Sequence, residues 1–208
     1  MAAMVGRTMV QILALGVTGG MLVTLPLWSH PTLWVFAVFS LFEILLYLIG
    51  TFRRPKAISG NGLAWLASLL ITVYPTVVPH LIDYPDHNWI VFLQIGSALQ
   101  YMAVLFEIVV LLSLRTSFSQ LPEANRLTTS GMYRYIRHPL YMAYFLGFGG
   151  LALVVNQPLI WLAYLVFIVF EVVRALAEER VLNQAFPDYA SYRHQTGMFW
   201  PRLGGRQK

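Results

Sequence analysis

The residues best suited to chemistry lie between Asn125 and Arg202 and form three groups rather than a scatter. The first is N-R-L-T-T-S-G-M-Y-R-Y-I-R-H-P-L-Y, Asn125 to Tyr141. Pro139 suits the first turn of a helix, where its missing N–H is not needed. Arg137 and His138 stand just ahead of it. An arginine, a histidine and free backbone N–H groups therefore meet at a helix N-terminus, an arrangement able to hold a carboxylate or another anion. The same residues also suit a plain basic loop that fixes membrane topology, followed by a proline start signal, and physics alone leaves both readings open. The second group is Glu171, Arg174, Glu178 and Glu179. At 3.6 residues per turn Glu171, Arg174 and Glu178 share one face, with Arg174 and Glu178 one turn apart. Such a set is either a paired site facing the protein interior or a snorkelling arginine with solvated partners. The third group is the tail F-P-D-Y-A-S-Y-R-H-Q-T-G-M-F-W-P-R, Phe186 to Arg202. Its aromatic and arginine content suits an interface, from which it could close over the second group.

The elements that must position these groups are apolar. Of 208 residues 58% are hydrophobic and 11% charged, against about a quarter charged in a soluble domain. Six apolar stretches stand out: Thr8 to Trp28, Leu33 to Phe52, Leu63 to Ile82, Trp89 to Leu114, Leu140 to Val155 and Pro158 to Ala177. Each is near the roughly 20 residues that cross hydrocarbon. The fifth is short and is parted from the sixth only by Asn156-Gln157-Pro158, a tight helical hairpin at a membrane face, and the two could also count as one re-entrant pair. The first is too long for a signal-peptide core and should stay as a span. Charge alternates between the connections. Arg53, Arg54 and Lys56 follow the second stretch, Asp83 and Asp86 the third, and Arg115, Arg126, Arg134 and Arg137 the fourth. By the positive-inside rule both termini are cytoplasmic, and the first and second chemical groups face the same side. The expectation is one all-α membrane domain over residues 1–208, a polytopic bundle of about six spans. Four spans fill residues 1–114, and 115–208 is the region that carries the chemistry.

Other features bound the function. The net charge of +5 comes with no basic run longer than Arg53-Arg54-Pro55-Lys56 and no basic helical face, so a nucleic-acid partner is not expected. Zero cysteines exclude disulfides, thiolate metal sites and cysteine nucleophiles, and no metal is expected. Glu43 and Glu107 are acids inside spans, so each should face a cavity or a partner, although Glu107 is also near enough to Arg115 to reach the interface. Gly16-x-x-x-Gly20 and Gly147, Gly149 and Gly150 invite close helix packing. Pro75 and Pro79 should kink the third span.

Taken in order, the three groups resemble the C-terminal catalytic region of the isoprenylcysteine carboxyl methyltransferase family, with its relatives among phospholipid methyltransferases and bacterial membrane methyltransferases. The resemblance covers roughly the last 85 residues. Its elements are S-G-x-Y-R-Y-x-R-H-P-x-Y (Ser130 to Tyr141), the helical hairpin, E-E-x-x-L (Glu178 to Leu182) and F-x-x-Y-x-x-Y-x-x-x-T-G (Phe186 to Gly197). The four earlier spans carry no signature. The resemblance implies methyl transfer from S-adenosylmethionine, bound on the cytoplasmic side of a bacterial-type inner membrane, to a lipid-like or small-molecule acceptor. By family pattern cofactor contacts fall on Asn125, Arg126, Leu127, Thr128, Tyr133, His138, Pro139, Leu140, Tyr141 and Glu178. Arg174 matches the residue that faces a substrate carboxylate, such as that of an isoprenylated cysteine. Position 125 departs from the prenyl-protein enzymes, which often place His there.

Two other classes compete. Sterol-reductase-like enzymes resemble the same region but bind NADPH and tend to carry Arg-His-x-Asn-Tyr, whereas Pro139 and Leu140 occupy the middle positions here. A transporter or binding protein would instead use Glu43 and Glu107 as pathway residues.

Overall fold

A computed structural model describes residues 55–77, 90–114 and 122–202, together with isolated helical positions within the first two apolar stretches. Five helices and one short strand pair make up the described residues: β1 (Ala57–Ile58), α1 (Gly62–Val77), α2 (Ile90–Leu114), β2 (Glu123–Ala124), a 3-10 turn at Gly131–Arg134, α3 (Pro139–Val155), α4 (Pro158–Ala185) and α5 (Tyr189–Gln195). The mostly helical expectation holds, with one addition that periodicity did not reveal. Ala57 pairs with Ala124 and Ile58 with Glu123 in an antiparallel two-stranded unit.

Local chemistry explains the helix ends. Asn61 precedes α1, and its Oδ1 accepts the Leu63 N–H at 3.0 Å, meeting one of the donors that a helix start leaves orphaned. The α3–α4 hairpin turns at Asn156, which adopts the left-handed conformation (φ 46°) that asparagine tolerates better than other non-glycine residues. The indole N–H of Trp161 reaches back to Asn156 Oδ1 at 3.3 Å, and the Tyr164 hydroxyl donates to Phe145 O at 2.8 Å. Pro158 opens α4 at its first turn.

Among the described residues α2 and α4 are long and apolar enough to cross a membrane. At 25 and 28 residues they measure about 37 and 42 Å, more than the ~30 Å hydrocarbon core. Their outward faces are apolar, with Leu105, Val109 and Leu112 on α2 and Leu162, Leu165 and Val169 on α4 all exposed, as contact with lipid tails requires. The expected fifth span differs. α3 has 17 residues, about 25 Å, and most of its surface is buried against its neighbours. α1 covers the start of the expected third span and runs through Pro75 to Val77, while Pro79 lies outside the described residues. So do most of Thr8 to Trp28 and Leu33 to Phe52, including Gly20 and Glu43.

The seam of α2 is a heptad-spaced stripe of Gly96, Gln100, Ala103, Glu107 and Val110, all buried. It packs along α3 with backbones nearly touching. A Cβ on Gly96 would lie 2.5 Å from Gly150 O, and one on Gly150 would lie 2.6 Å from Gly96 O, so only paired glycines permit this approach. Gly150 was among the residues expected to pack closely. Its partner Gly96 stands alone in its helix, without the small-xxx-small spacing that marks such a contact. Glu107 is buried on this seam and therefore faces the protein interior, not the interface near Arg115. Below the seam, Tyr74, Phe148 and Phe167 form an aromatic cluster with centroids 4.6 to 5.0 Å apart.

Candidate functional site

The strand pair places the first part of the site. Lys56 N–H donates to Ala124 O at 2.8 Å and Ser59 N–H to Pro122 O at 2.9 Å, which anchors Glu123–Ala124 and aims Asn125 to Thr128 at the helix ends. The chain then turns through Gly131, whose φ of 61° costs glycine little, and delivers Tyr133 inward. Pro139 starts α3 with His138 as its N-cap.

These segments enclose a cleft of about 670 Å³ of empty space that opens to solvent. Asn125, Arg126, Leu127, Thr128, Tyr133, His138, Leu140, Tyr141, Arg174 and Glu178 all line it, so nearly every residue singled out from the sequence is brought to one cavity. Of the contacts that the resemblance implies Pro139 is the exception, and of the second group Glu171 and Glu179 stand outside the lining. The Pro139 ring is buried in the first turn of α3, where it fixes the helix start and forms no part of the wall. Arg137, read from the sequence as able to hold an anion beside His138, lines the cleft too, and so do Glu123, Leu182, Tyr189 and Tyr192, which were not singled out as contacts. Tyr189 and Tyr192 carried a usable signal in their three-residue spacing, which puts both on one face of a short helix.

A hydrogen-bonded chain crosses the inner wall. Arg174 Nε donates to the Tyr141 hydroxyl at 2.8 Å, which donates to Glu178 Oε2 at 2.8 Å. The guanidinium lies 4.4 Å over the Tyr141 ring, a cation–π contact. Glu171 Oε2 stands 3.5 Å from Arg174 Nε, and both residues are almost wholly buried. Arg174 is thus a paired interior residue and does not snorkel. The desolvation of its charge is offset by Glu171 and by the aromatic face. Its Nη1 has no hydrogen-bond partner.

The tail forms the outer wall. Arg137 Nε donates to Glu179 Oε1 at 2.6 Å, while its Nη1 donates to Arg193 O at 3.1 Å and to Thr196 O. One arginine therefore ties the loop, the end of α4 and the tail together. Backbone bonds continue the clasp, with Arg137 N–H donating to Gly197 O at 2.9 Å and His138 N–H to Met198 O at 3.1 Å. A Cβ on Gly197 would overlap the Trp200 carbonyl, so the Thr196-Gly197 step needs glycine to pass. The tail thus closes over the second group through Arg137 and Glu179. The hydroxyl of Tyr192 donates to Tyr133 O at 2.7 Å.

The electrostatics are those of a donor-rich cleft. Burial pushes the Tyr133 hydroxyl well above its ordinary range, with the negative charge of Glu178 adding to the effect. Burial also raises Tyr189 and Tyr192, so all three remain neutral hydrogen-bond donors at physiological pH. Glu179 lies past Ala177, in the turns of α4 beyond the expected span. Burial by itself would raise its carboxyl, but His138 and Arg137 outweigh this and hold it at about 2. Asn125 Oδ1, Arg174 Nη1 and the Tyr189 hydroxyl lack hydrogen-bond partners, and all three residues line the cleft, whereas His138 Nε2 faces Glu179 Oε1 at 3.4 Å. Buried polar atoms left open in this way suit a polar ligand. Among the described residues no three His, Asp or Glu side chains gather as a metal site would require.

Comparison with known proteins agrees with this geometry. Residues 88–189 match the family model of phospholipid methyltransferase, one of a group of membrane methyltransferases. The match starts upstream of the region whose motifs carry the resemblance and takes in α2, which had been read as lacking a signature. The cobalt-zinc-cadmium resistance protein CzcN of Cupriavidus metallidurans is 39% identical over 80 residues, 38% of this chain and 37% of that protein. The nickel-cobalt-cadmium resistance protein NccN of Alcaligenes xylosoxydans xylosoxydans is 33% identical over 82 residues, 39% of this chain and 38% of that protein. The matched segment spans little more than a third of these relatives' length.

Proposed function

We propose that the chain is an integral membrane methyltransferase that uses S-adenosylmethionine and methylates a lipophilic acceptor delivered from the bilayer. The observation that carries this reading is the convergence of the Asn125–Thr128 loop, Tyr133, His138, Tyr141 and Glu178 on one cleft with Arg174 in its inner wall. The unpartnered atoms fit the cofactor's chemistry. S-adenosylmethionine has hydroxyls, ring nitrogens, an ammonium and a carboxylate to meet Asn125 Oδ1, the Tyr189 hydroxyl and the Glu178 carboxylate. Bound there, it supplies a methyl group activated by its sulfonium.

Transfer from a sulfonium is an in-line displacement in which charge is neutralised, so this chain's residues contribute alignment and exclusion of water. Tyr133, Tyr189 and Tyr192 line and dry the cleft. Glu178 holds cofactor hydroxyls or the amine, and Tyr141 keeps that carboxylate in place while it orders Arg174. Arg174 uses Nη1, its open donor, to orient an anionic acceptor oxygen such as the carboxylate of an isoprenylated cysteine. The bundle of about six spans, with both termini and the cleft on the cytoplasmic side of an inner membrane, completes the reading.

Calorimetric titration of the purified protein with S-adenosylmethionine and with NADPH tests it. S-adenosylmethionine should bind and NADPH should not. Binding of NADPH alone identifies a reductase-like enzyme and ends the proposal. Arg174→Ala should lower turnover with cofactor binding largely kept, whereas Glu178→Ala should impair binding. Equal loss of binding in both would show that the division of roles is wrong.

A further inference from the structure

A second cavity lies on the other side of the Arg137 clasp, away from the cleft. Its walls include Arg193, Arg202, His194, Asn183 and Trp200. Arg193 faces Glu179 Oε2 across 3.6 Å, and Arg202 Nη1 donates to His194 O at 2.6 Å. Each guanidinium has five N–H donors, so most of the donors on these two exposed side chains stay open. The wall has more cationic than anionic groups, since Glu179 is already held by Arg137.

The level of this cavity relative to the bilayer follows from the tail. Phe199 packs against Phe145 with centroids 5.5 Å apart, and against His138 and Tyr141. Phe145 lies in the second turn of α3, so the tail touches the bundle where α3 leaves the loop. Trp200, the next residue, is 73% exposed. An outward indole beside two arginines at this level is the pairing that marks a membrane–water boundary. Phosphate oxygens of lipid headgroups occupy that depth, and planar guanidinium donors match them.

We infer that the cavity bounded by Arg193, Arg202, His194 and Trp200 is a binding site for the phosphate of an anionic phospholipid headgroup, in the leaflet on the side where the cleft opens. Trp200 sits among the acyl–headgroup boundary groups of the same lipid. This site is separate from the acceptor site, and its occupation seats the tail that forms the cleft's outer wall.

The test uses the full chain in vesicles of phosphatidylcholine doped with brominated phosphatidylglycerol or with brominated phosphatidylcholine at equal mole fraction. The signal of Trp200 is isolated as the difference between the native protein and Trp200→Phe. Brominated phosphatidylglycerol should quench that component more strongly. Arg193→Gln/Arg202→Gln should lower the preference by roughly 30-fold, as expected for the loss of two interfacial cations. Circular dichroism of the double variant should match the native protein. Equal quenching by the two lipids overturns the proposal, as does a preference that survives in the double variant. Displacement of the lipid by millimolar inorganic phosphate would assign the cavity to a soluble anion and equally overturn the lipid assignment.

Discussion

Tyr141→Phe is the sharpest probe of the inner wall. It removes one oxygen, which accepts from Arg174 Nε and donates to Glu178 Oε2, both at 2.8 Å. The ring remains, so the guanidinium keeps the aromatic face 4.4 Å away and no cavity opens. Arg174 also keeps Glu171 3.5 Å from its Nε. The principal loss therefore falls on Glu178, whose carboxylate gives up a hydrogen bond worth about 1.5–3 kcal/mol. At about 1.4 kcal/mol per tenfold, S-adenosylmethionine should bind roughly 10- to 100-fold more weakly, while the melting temperature changes little. Calorimetry gives the binding constant and differential scanning fluorimetry the stability. Glu178→Gln provides the cross-check, because two changes to one hydrogen bond must be non-additive when combined. A binding constant within twofold of the native value refutes the coupling. Weak binding accompanied by a large fall in melting temperature would mean that the hydroxyl is structural.

Gly150→Ala forces a methyl group against Gly96 O. Overpacking of this kind costs about 1–3 kcal/mol, so the detergent-solubilised protein should melt several degrees lower, and an unchanged melting point would deny the close approach. Arg137→Gln cuts the bond to Glu179 and the two tail carbonyl contacts; hydrogen exchange across 193–199 should accelerate at least tenfold, given about 1.5–3 kcal/mol for a charged hydrogen bond. The folded-state carboxyl of Glu179 is depressed to about 2 from 4.5, so its contribution is present above pH 4.5 and is lost as pH falls towards 2. Protection of the tail should fade in that window, and Glu179→Gln should flatten the profile; a profile identical to the native one would show that another group titrates.

Legibility in the sequence followed the range of the interaction. Helix starts and the hairpin rested on Pro139, Asn156 and Pro158, whose effects are confined to a turn, and the structure has each element there. The spacing of Glu171, Arg174 and Glu178 gave a shared face, but not the choice between snorkelling and burial. That choice depends on Tyr141, which is 33 residues away from Arg174 in the chain. Gly96 and Gly150 become a pair only once α2 and α3 are antiparallel at that register. The β1–β2 pair rests on two residues from each strand, too few for a period of two to emerge.

What escaped the sequence is also what makes the site a unit. Arg137 read either as an anion-holding group at the start of α3 or as a topogenic basic residue, yet it ties α3's entrance to Glu179 on α4 and to the tail. The loop cannot move without carrying the outer wall of the cleft with it. Access to the cleft from solvent therefore depends on the tail, whereas Arg174, buried in the inner wall, lies behind Tyr141 and Glu178. Under the proposed reading the Arg174–Tyr141–Glu178 chain links the residue assigned to the acceptor with the one assigned to the cofactor, so that filling one end bears on the other.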